Sequence, residues 1–137
     1  MEALTQKGFC VFALDRKTNA SAENVIPLEA DITNEESLLH AFETVSSYTN
    51  ELYAIVHFAG LYMLDSLVEM NTESFSRIFE VNLFGAFSVN KIFMPLLRKG
   101  SRVLMTTSEL APLAPLPFTG IYAVTKGALD RYAYLLT

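Results

Sequence analysis

The sequence predicts an α/β fold, a parallel sheet with helices on both faces. Three observations carry this expectation. Short apolar runs of strand length alternate with longer amphipathic stretches along the chain. The apolar runs are bounded by glycine or acidic residues, and the amphipathic ones open on cap-forming residues. No internal repeat or low-complexity tract interrupts the alternation.

The elements follow in order. Residues 2 to 7 read as the last turns of a helix. Phe9 to Leu14 lies between Gly8 and Asp15 and suits a strand buried on both faces. Cys10, inside that run, reads as a lone buried thiol. Val25 to Leu28 is a second, shorter strand. Thr33 and Glu36 have capping-box spacing, and Leu38, Leu39, Phe42 and Val45 follow at helical spacing. Leu52 to Phe58 is a third strand, running into Ala59-Gly60. A long helix starts near Asn71 or Thr72, carries Phe75, Ile78, Phe79, Phe84 and Phe87, and is expected to stop near Gly100. Arg102 to Thr107 is a fourth strand, rich in apolar and β-branched residues. A last helix begins near Gly120 and is still running at Thr137.

A length of 137 residues makes one domain the natural count. With 51% hydrophobic and 18% charged residues, the chain has the material for a buried core. The net charge of -5 comes with no Lys/Arg cluster, so nucleic acid is not an expected partner. A single cysteine excludes an internal disulfide and a cysteine metal cage, and no metal site is expected. The N-terminus shows no secretory pattern. The longest apolar stretch, Leu52 to Leu64, contains His57 and falls short of the roughly 20 residues a membrane span needs. A cytoplasmic setting without a membrane partner is the resulting expectation.

In such a sheet, ligands bind beyond the carboxyl ends of the strands. That directs attention to Asp15, Asp31, Ala59-Gly60 and Thr106 to Ser108. Tyr122 and Lys126 are spaced i, i+4 at the start of the last helix, so their side chains share a face. An ammonium near a phenol favours the phenolate. Tyr122 is thus a candidate general acid toward a carbonyl oxygen, or base toward an alcohol. The same spacing also suits a plain amphipathic helix with a surface lysine. Ser108 ends a strand fourteen positions earlier, across a loop holding Pro112, Pro115 and Pro117. Its hydroxyl suits the same substrate oxygen, or merely a strand-end cap. Asn82, in Val81-Asn82-Leu83-Phe84-Gly85, is a mediocre helix former. It is expected either to loosen its helix and free a carbonyl for a water, or to be a buried amide satisfied locally.

Ser108, Tyr122 and Lys126, with Asn82 upstream, resemble the catalytic tetrad of the short-chain dehydrogenases/reductases in order, spacing and setting. Gly8-Phe-Cys-Val-Phe-Ala-Leu-Asp15 looks like that family's second strand, Asp31-Ile-Thr33 like its third-strand end, and Val56-His-Phe-Ala-Gly60 like its fourth strand running into the NNAG motif. The resemblance covers essentially the whole chain. It implies a Rossmann-type, doubly wound parallel sheet, with residues 1–137 a partial NAD(P)-binding domain. It also implies hydride transfer between a nicotinamide cofactor and a secondary alcohol or ketone.

On this resemblance Tyr122 is the proton donor or acceptor. Lys126 assists it and holds the nicotinamide ribose, Ser108 orients and polarises the substrate oxygen, and Asn82 positions a water in a proton relay. Asp15 would accept hydrogen bonds from the adenosine ribose, and Asp31 and Ile32 would border the adenine. Ala59, Gly60 and Thr106 would lie along the cofactor, with Gly60 allowing close backbone approach. A carboxylate at Asp15 favours NAD over NADP, while Arg16 is placed to take a 2′-phosphate and keeps NADP open.

The chain departs from the family pattern in three places. His57-Phe58-Ala59-Gly60 stands where the family has NNAG, and His57 is expected as a satisfied neutral imidazole. The Ser-to-Tyr spacing is about one residue longer than the commonest. The family's first strand with its glycine-rich phosphate turn, and its last strands, fall outside the chain, so residues 1–137 alone are expected to be inactive. In a sheet ordered 3-2-1-4-5 the first strand is central. Without it, the strands Phe9 to Leu14 and Leu52 to Phe58 either pair directly or stand about 10 Å apart. The competing reading is a non-catalytic binding or dimerisation module. The helices over 72–99 and 120–137 commonly build this family's homo-oligomer interface, and here the first carries Phe84, Phe87, Phe93 and Met94. Beyond a small-molecule secondary alcohol or ketone, these residues do not name the substrate.

Overall fold

The computed structural model describes residues 1–18, 22–64, 68–109 and 118–136. The chain divides into two compact units, Met1–Asn50 and Glu51–Thr137. Pro112, Pro115 and Pro117 of the expected loop, and the Thr137 end of the last helix, lie outside the described residues.

The first unit runs α1 (Glu2–Thr5), β1 (Val11–Asp15), β2 (Val25–Glu29), α2 (Glu35–Tyr48). The turn after α1 closes at Gly8 with φ +85°, a left-handed conformation that glycine adopts without penalty. β1 and β2 pair in parallel, from Val11 opposite Val25 to Asp15 opposite Glu29. Pro27 is tolerated because β1 is the one ladder partner of β2 among the described residues. β1 is half-buried rather than buried on both faces, since it too has a single strand neighbour there. The strand starts one residue after Cys10, which is exposed, contrary to the expected buried thiol.

Helix α2 buries Leu38, Ala41 and Val45, an i, i+3, i+7 stripe, and turns Leu39 outward. Its cap is Asn34 rather than Thr33. The Asn34 carboxamide oxygen accepts from Ser37 N–H at 2.9 Å. The Thr33 hydroxyl is already committed, donating to the Asp31 carboxylate at 2.7 Å.

The second unit runs β3 (Leu52–His57), α3 (Thr72–Phe79), a π-helical turn (Glu80–Phe84), α4 (Gly85–Phe93), a 3₁₀ turn (Met94–Leu96), β4 (Leu97–Met105) and α5 (Gly120–Leu135). Asn71 caps α3, accepting from Ser74 N–H at 2.8 Å. The helical run ends at Phe93, short of Gly100, because Pro95 has no N–H to continue the ladder. β4 consequently begins at Leu97, earlier than expected, and ends at Met105 rather than Thr107.

β3 and β4 pair in parallel, from Leu52 opposite Leu97 to His57 opposite Met105. Two positions along β3, Leu52 to Ala54, are answered by five along β4, Leu97 to Arg102. The extra residues form an excursion that needs the positive φ of +95° at Gly100. Ser101 ties it back, its hydroxyl donating to Leu52 C=O at 2.7 Å and accepting from Arg98 N–H at 3.0 Å.

The core of this unit contains Ile55, Ile78, Ile92, Phe93, Leu96, Ile121 and Leu129. Each such burial is worth roughly 1.5–3 kcal/mol. Phe75, Phe84 and Phe87, which recur along the helical run, are exposed rather than part of this core. The two strand pairs join strands that the order 3-2-1-4-5 makes neighbours, and no ladder connects β1 to β3 among the described residues.

Candidate active site

Tyr122 and Lys126 stand one turn apart at the start of α5. Lys126 is only 4% exposed, and a buried ammonium needs a hydrogen-bond acceptor. It has one in the Thr106 carbonyl, to which its Nζ donates at 2.7 Å. Burial pushes the Lys126 pKa below its ordinary value. The same Nζ lies 5.8 Å from the centre of the half-buried Tyr122 ring. That ring meets Tyr62 edge-on at 5.0 Å between centroids. The surface-lysine alternative for this helix is therefore excluded by the burial of Lys126.

Asn82 sits in the π-helical turn and is 1% exposed. The helix is locally widened here, and the Asn82 amide is buried and satisfied. Its carboxamide mimics a strand neighbour for Leu61, accepting from Leu61 N–H at 2.6 Å and donating to Leu61 C=O at 2.9 Å. It also donates to the Thr125 hydroxyl at 3.0 Å. Thr125 in turn donates to Tyr122 C=O at 2.8 Å, which links Asn82 to the helix carrying Tyr122 and Lys126.

Gly60 shows how tightly these groups converge. A Cβ built on it would stand 3.4 Å from Lys126 Nζ and 3.6 Å from Asn82 Oδ1. A side chain there would be in ordinary contact with both groups, so Gly60 borders the ammonium and the Asn82 amide directly. Ala59, beside it, is exposed. Ser108 is half-buried two residues past Thr106, the residue whose carbonyl holds Lys126.

His57 ends β3 with its side chain buried. Its Nε2 lies 2.8 Å from Asn90 Oδ1. Asn90 spends its amide on Tyr132 Oη, 3.2 Å away, so its oxygen faces the imidazole and Nε2 carries the proton. Burial pushes the His57 pKa down, against the opposing effect of the Asn90 hydrogen bond. A satisfied, neutral imidazole follows. The sequence offered no signal for its partners Asn90 and Tyr132, nor for Thr125 and Tyr62. All four are ordinary helix or loop residues until the fold brings them in.

In the first unit, an open surface depression of about 370 Å³ is lined by Arg16, Glu29, Ala30, Asp31 and Ser37. A second, of about 420 Å³, is lined by Asp15, Arg16 and Lys17. Asp15 is exposed at the end of β1, and its carboxylate accepts from Lys17 N–H at 3.3 Å. Asp31 is held rigidly. It accepts from Thr33 N–H at 2.9 Å, and its own N–H donates to the Ser37 hydroxyl at 3.0 Å. Ile32 is half-buried beside it. The expected adenosine residues thus gather at the carboxyl ends of β1 and β2, as a parallel sheet requires.

Residues 4–136 match the family model described as enoyl-(acyl carrier protein) reductase. Estradiol 17-beta-dehydrogenase 2 of Mus musculus is 31% identical over 97% of this chain, which spans 38% of that protein. The NADPH-dependent 1-acyldihydroxyacetone phosphate reductase of Schizosaccharomyces pombe is 26% identical over 96% of this chain, which spans 46% of that protein. Among solved structures, a short-chain dehydrogenase family protein from Francisella tularensis superposes with a TM-score of 0.86 at 23% identity, over 96% of this chain and 53% of that one. That last likeness establishes the fold, a partial Rossmann-type arrangement. The chain belongs to the short-chain dehydrogenase/reductase family. It spans about half or less of the length of the relatives it matches.

Proposed function

We propose that this chain is the catalytic and cofactor-binding part of an oxidoreductase that interconverts a secondary alcohol and its ketone with a nicotinamide cofactor. The observation that carries the reading is the buried Lys126, hydrogen-bonded to Thr106 C=O and 5.8 Å from the Tyr122 ring. A buried ammonium one helical turn from a phenol marks a candidate functional site rather than plain packing.

The residues of the second unit, taken by itself, fit the nicotinamide ribose of such a cofactor. Gly60 leaves open the space a side chain would fill, and the buried ammonium of Lys126 has donors to spare beyond Thr106. In this reading Lys126, Thr106, Ala59 and Gly60 hold the nicotinamide end. Asp15, Arg16, Asp31 and Ile32 hold the adenosine end. When bound, the nicotinamide supplies or accepts the hydride. Tyr122 delivers a proton to the carbonyl oxygen, or removes it from the alcohol. Lys126 assists Tyr122 and holds the nicotinamide ribose. Ser108 donates to the substrate oxygen and Asn82 holds a water that returns the proton to Tyr122.

The Asp15 carboxylate supports NAD as the preferred cofactor, with Arg16 and Lys17 as the groups that would admit NADP. We place the protein in the cytoplasm; no helix among the described residues is long and apolar enough to cross a membrane. Phe84, Phe87 and Met94 are exposed along one side of the 72–96 helical run, which supports contact with a second copy.

The test uses the full-length protein, a panel of secondary alcohols with NAD and NADP, and fluorescence titration of NADH and NADPH. Lys126→Ala is expected to lower both turnover and cofactor affinity, and Ser108→Ala to lower turnover alone. NADH is expected to bind more tightly than NADPH. Variants that leave both quantities unchanged would remove the reading, and tighter NADPH binding would reverse the cofactor preference.

A further inference from the structure

His57 stands where the family has an asparagine, and the geometry around it forms a continuous chain. Its imidazole donates from Nε2 to Asn90 Oδ1 at 2.8 Å, and Asn90 donates to Tyr132 Oη at 3.2 Å. This fixes the last residue of β3 to α4 through Asn90 and to α5 through Tyr132. Asn90 is 0% exposed and His57 is 9% exposed, so water does not compete for these bonds. From the backbone of the same residue the chain continues toward the site. The His57 carbonyl accepts from Thr106 N–H at 3.1 Å, and the Thr106 carbonyl accepts from Lys126 Nζ at 2.7 Å. Thr106 thus bonds His57 through its N–H and Lys126 through its carbonyl.

We propose that His57 is a positioning residue for Lys126: anchored by Asn90 and Tyr132, it holds the backbone that sets Thr106, and Thr106 sets the height of the ammonium. The inference rests on the reading of Lys126 as the cofactor-holding lysine. Nε2 is occupied by Asn90, and His57 lies at the buried end of β3 while the exposed residues Phe58, Ala59 and Gly60 follow it. Its replacement of the family asparagine is thereby matched by two partners, one on each helix that packs on that strand end.

The effect should pass through Lys126 and nowhere else, which a double-mutant cycle on cofactor binding reads directly. NADH affinity of the full-length protein is measured by fluorescence for His57→Leu, His57→Gln, Lys126→Ala and the double variant His57→Leu with Lys126→Ala. Glutamine carries an amide N–H at nearly the reach of Nε2, and leucine carries none. We expect His57→Leu to weaken NADH binding on the order of tenfold, because the displaced Lys126 ammonium loses a charge-assisted hydrogen bond to the cofactor. His57→Gln should stay within about threefold of wild type on the same scale. In the Lys126→Ala background, His57→Leu should add less than about twofold, again as an affinity ratio.

Full additivity of the two substitutions would overturn the proposal while leaving the reading of Lys126 intact. A Lys126→Ala variant with wild-type NADH affinity would overturn the reading, and this inference with it. Should His57→Leu fail to fold, Tyr132→Phe removes only the far hydroxyl of the chain. Its effect on NADH affinity must then vanish in the Lys126→Ala background, and persistence there contradicts the proposal.

Discussion

His57 and Lys126 are both buried polar groups whose pKa is pushed down by desolvation, and their consequences for stability fall in different pH ranges. For a histidine whose folded pKa is depressed, the unfolded chain binds more protons between the folded value and the ordinary one of about 6.5. Its contribution to stability is complete above that ordinary value and is lost as pH falls through the folded one. For Lys126 the corresponding window opens downward from the ordinary lysine value of about 10.5. The unfolding midpoint of the chain is therefore expected to fall between neutrality and about pH 5, and to fall less in His57→Gln, which has no proton to gain. Thermal denaturation followed by circular dichroism across that range checks this; equal pH slopes for the two proteins would contradict it.

At this scale the site was partly legible in advance. Tyr122 and Lys126 were visible because a helix places i and i+4 on one face whatever surrounds it; Ser108 at a strand end and Asn82 in mid-helix joined them through the family resemblance. Their partners were not visible. Thr106 was singled out as a residue, but not the bond from Lys126 to its carbonyl, since a carbonyl leaves no trace in residue type. Leu61 pairs with Asn82 in the same way, through backbone alone.

At the scale of elements, strands and helices fell close to their expected places, while the ends moved by one to several residues. Each shift has a local cause. The cap of α2 passed from Thr33 to Asn34 because Asp31 claimed the Thr33 hydroxyl. The long helix stopped at Phe93 because of Pro95, which left Gly100 to turn an excursion in β4 rather than to end a helix. The Asn34 assignment predicts that Asn34→Ala destabilises the fold by about 1 kcal/mol. Thr33→Val would act through Asp31 instead, since Ser37 N–H keeps its acceptor. Denaturant unfolding of Asn34→Ala measures the first value; an unchanged midpoint would return the cap to Thr33.

At the scale of the whole molecule, the strand pairing and the helical crossovers were legible because apolar runs and amphipathic stretches alternate. Phe84, Phe87, Phe93 and Met94 were read as one interface face, but Phe93 is buried while the other three are exposed, since helical spacing alone does not say which side of a helix meets its own core. In a complete protein this side is expected to meet a second copy. Phe87→Glu should then lower the mass measured by light scattering toward that of the monomer, while an unchanged mass would place the contact elsewhere.

The central claim is that Tyr122 moves the proton that accompanies hydride transfer. Negative charge builds on the carbonyl oxygen as hydride arrives at carbon, and one group must supply its proton. Tyr122 is the acid with a buried ammonium 5.8 Å from its ring, whereas His57 is committed to Asn90. General acid-base catalysis contributes about 10²–10⁴-fold. The most direct measurement is turnover and cofactor affinity of Tyr122→Phe in the full-length protein, on the secondary alcohol that the wild type oxidises fastest. Turnover is expected to fall by about 10²-fold or more with NADH affinity nearly unchanged, because one hydroxyl is removed and the ring keeps its contacts with Tyr62 and Lys126. Wild-type turnover in that variant would contradict the account.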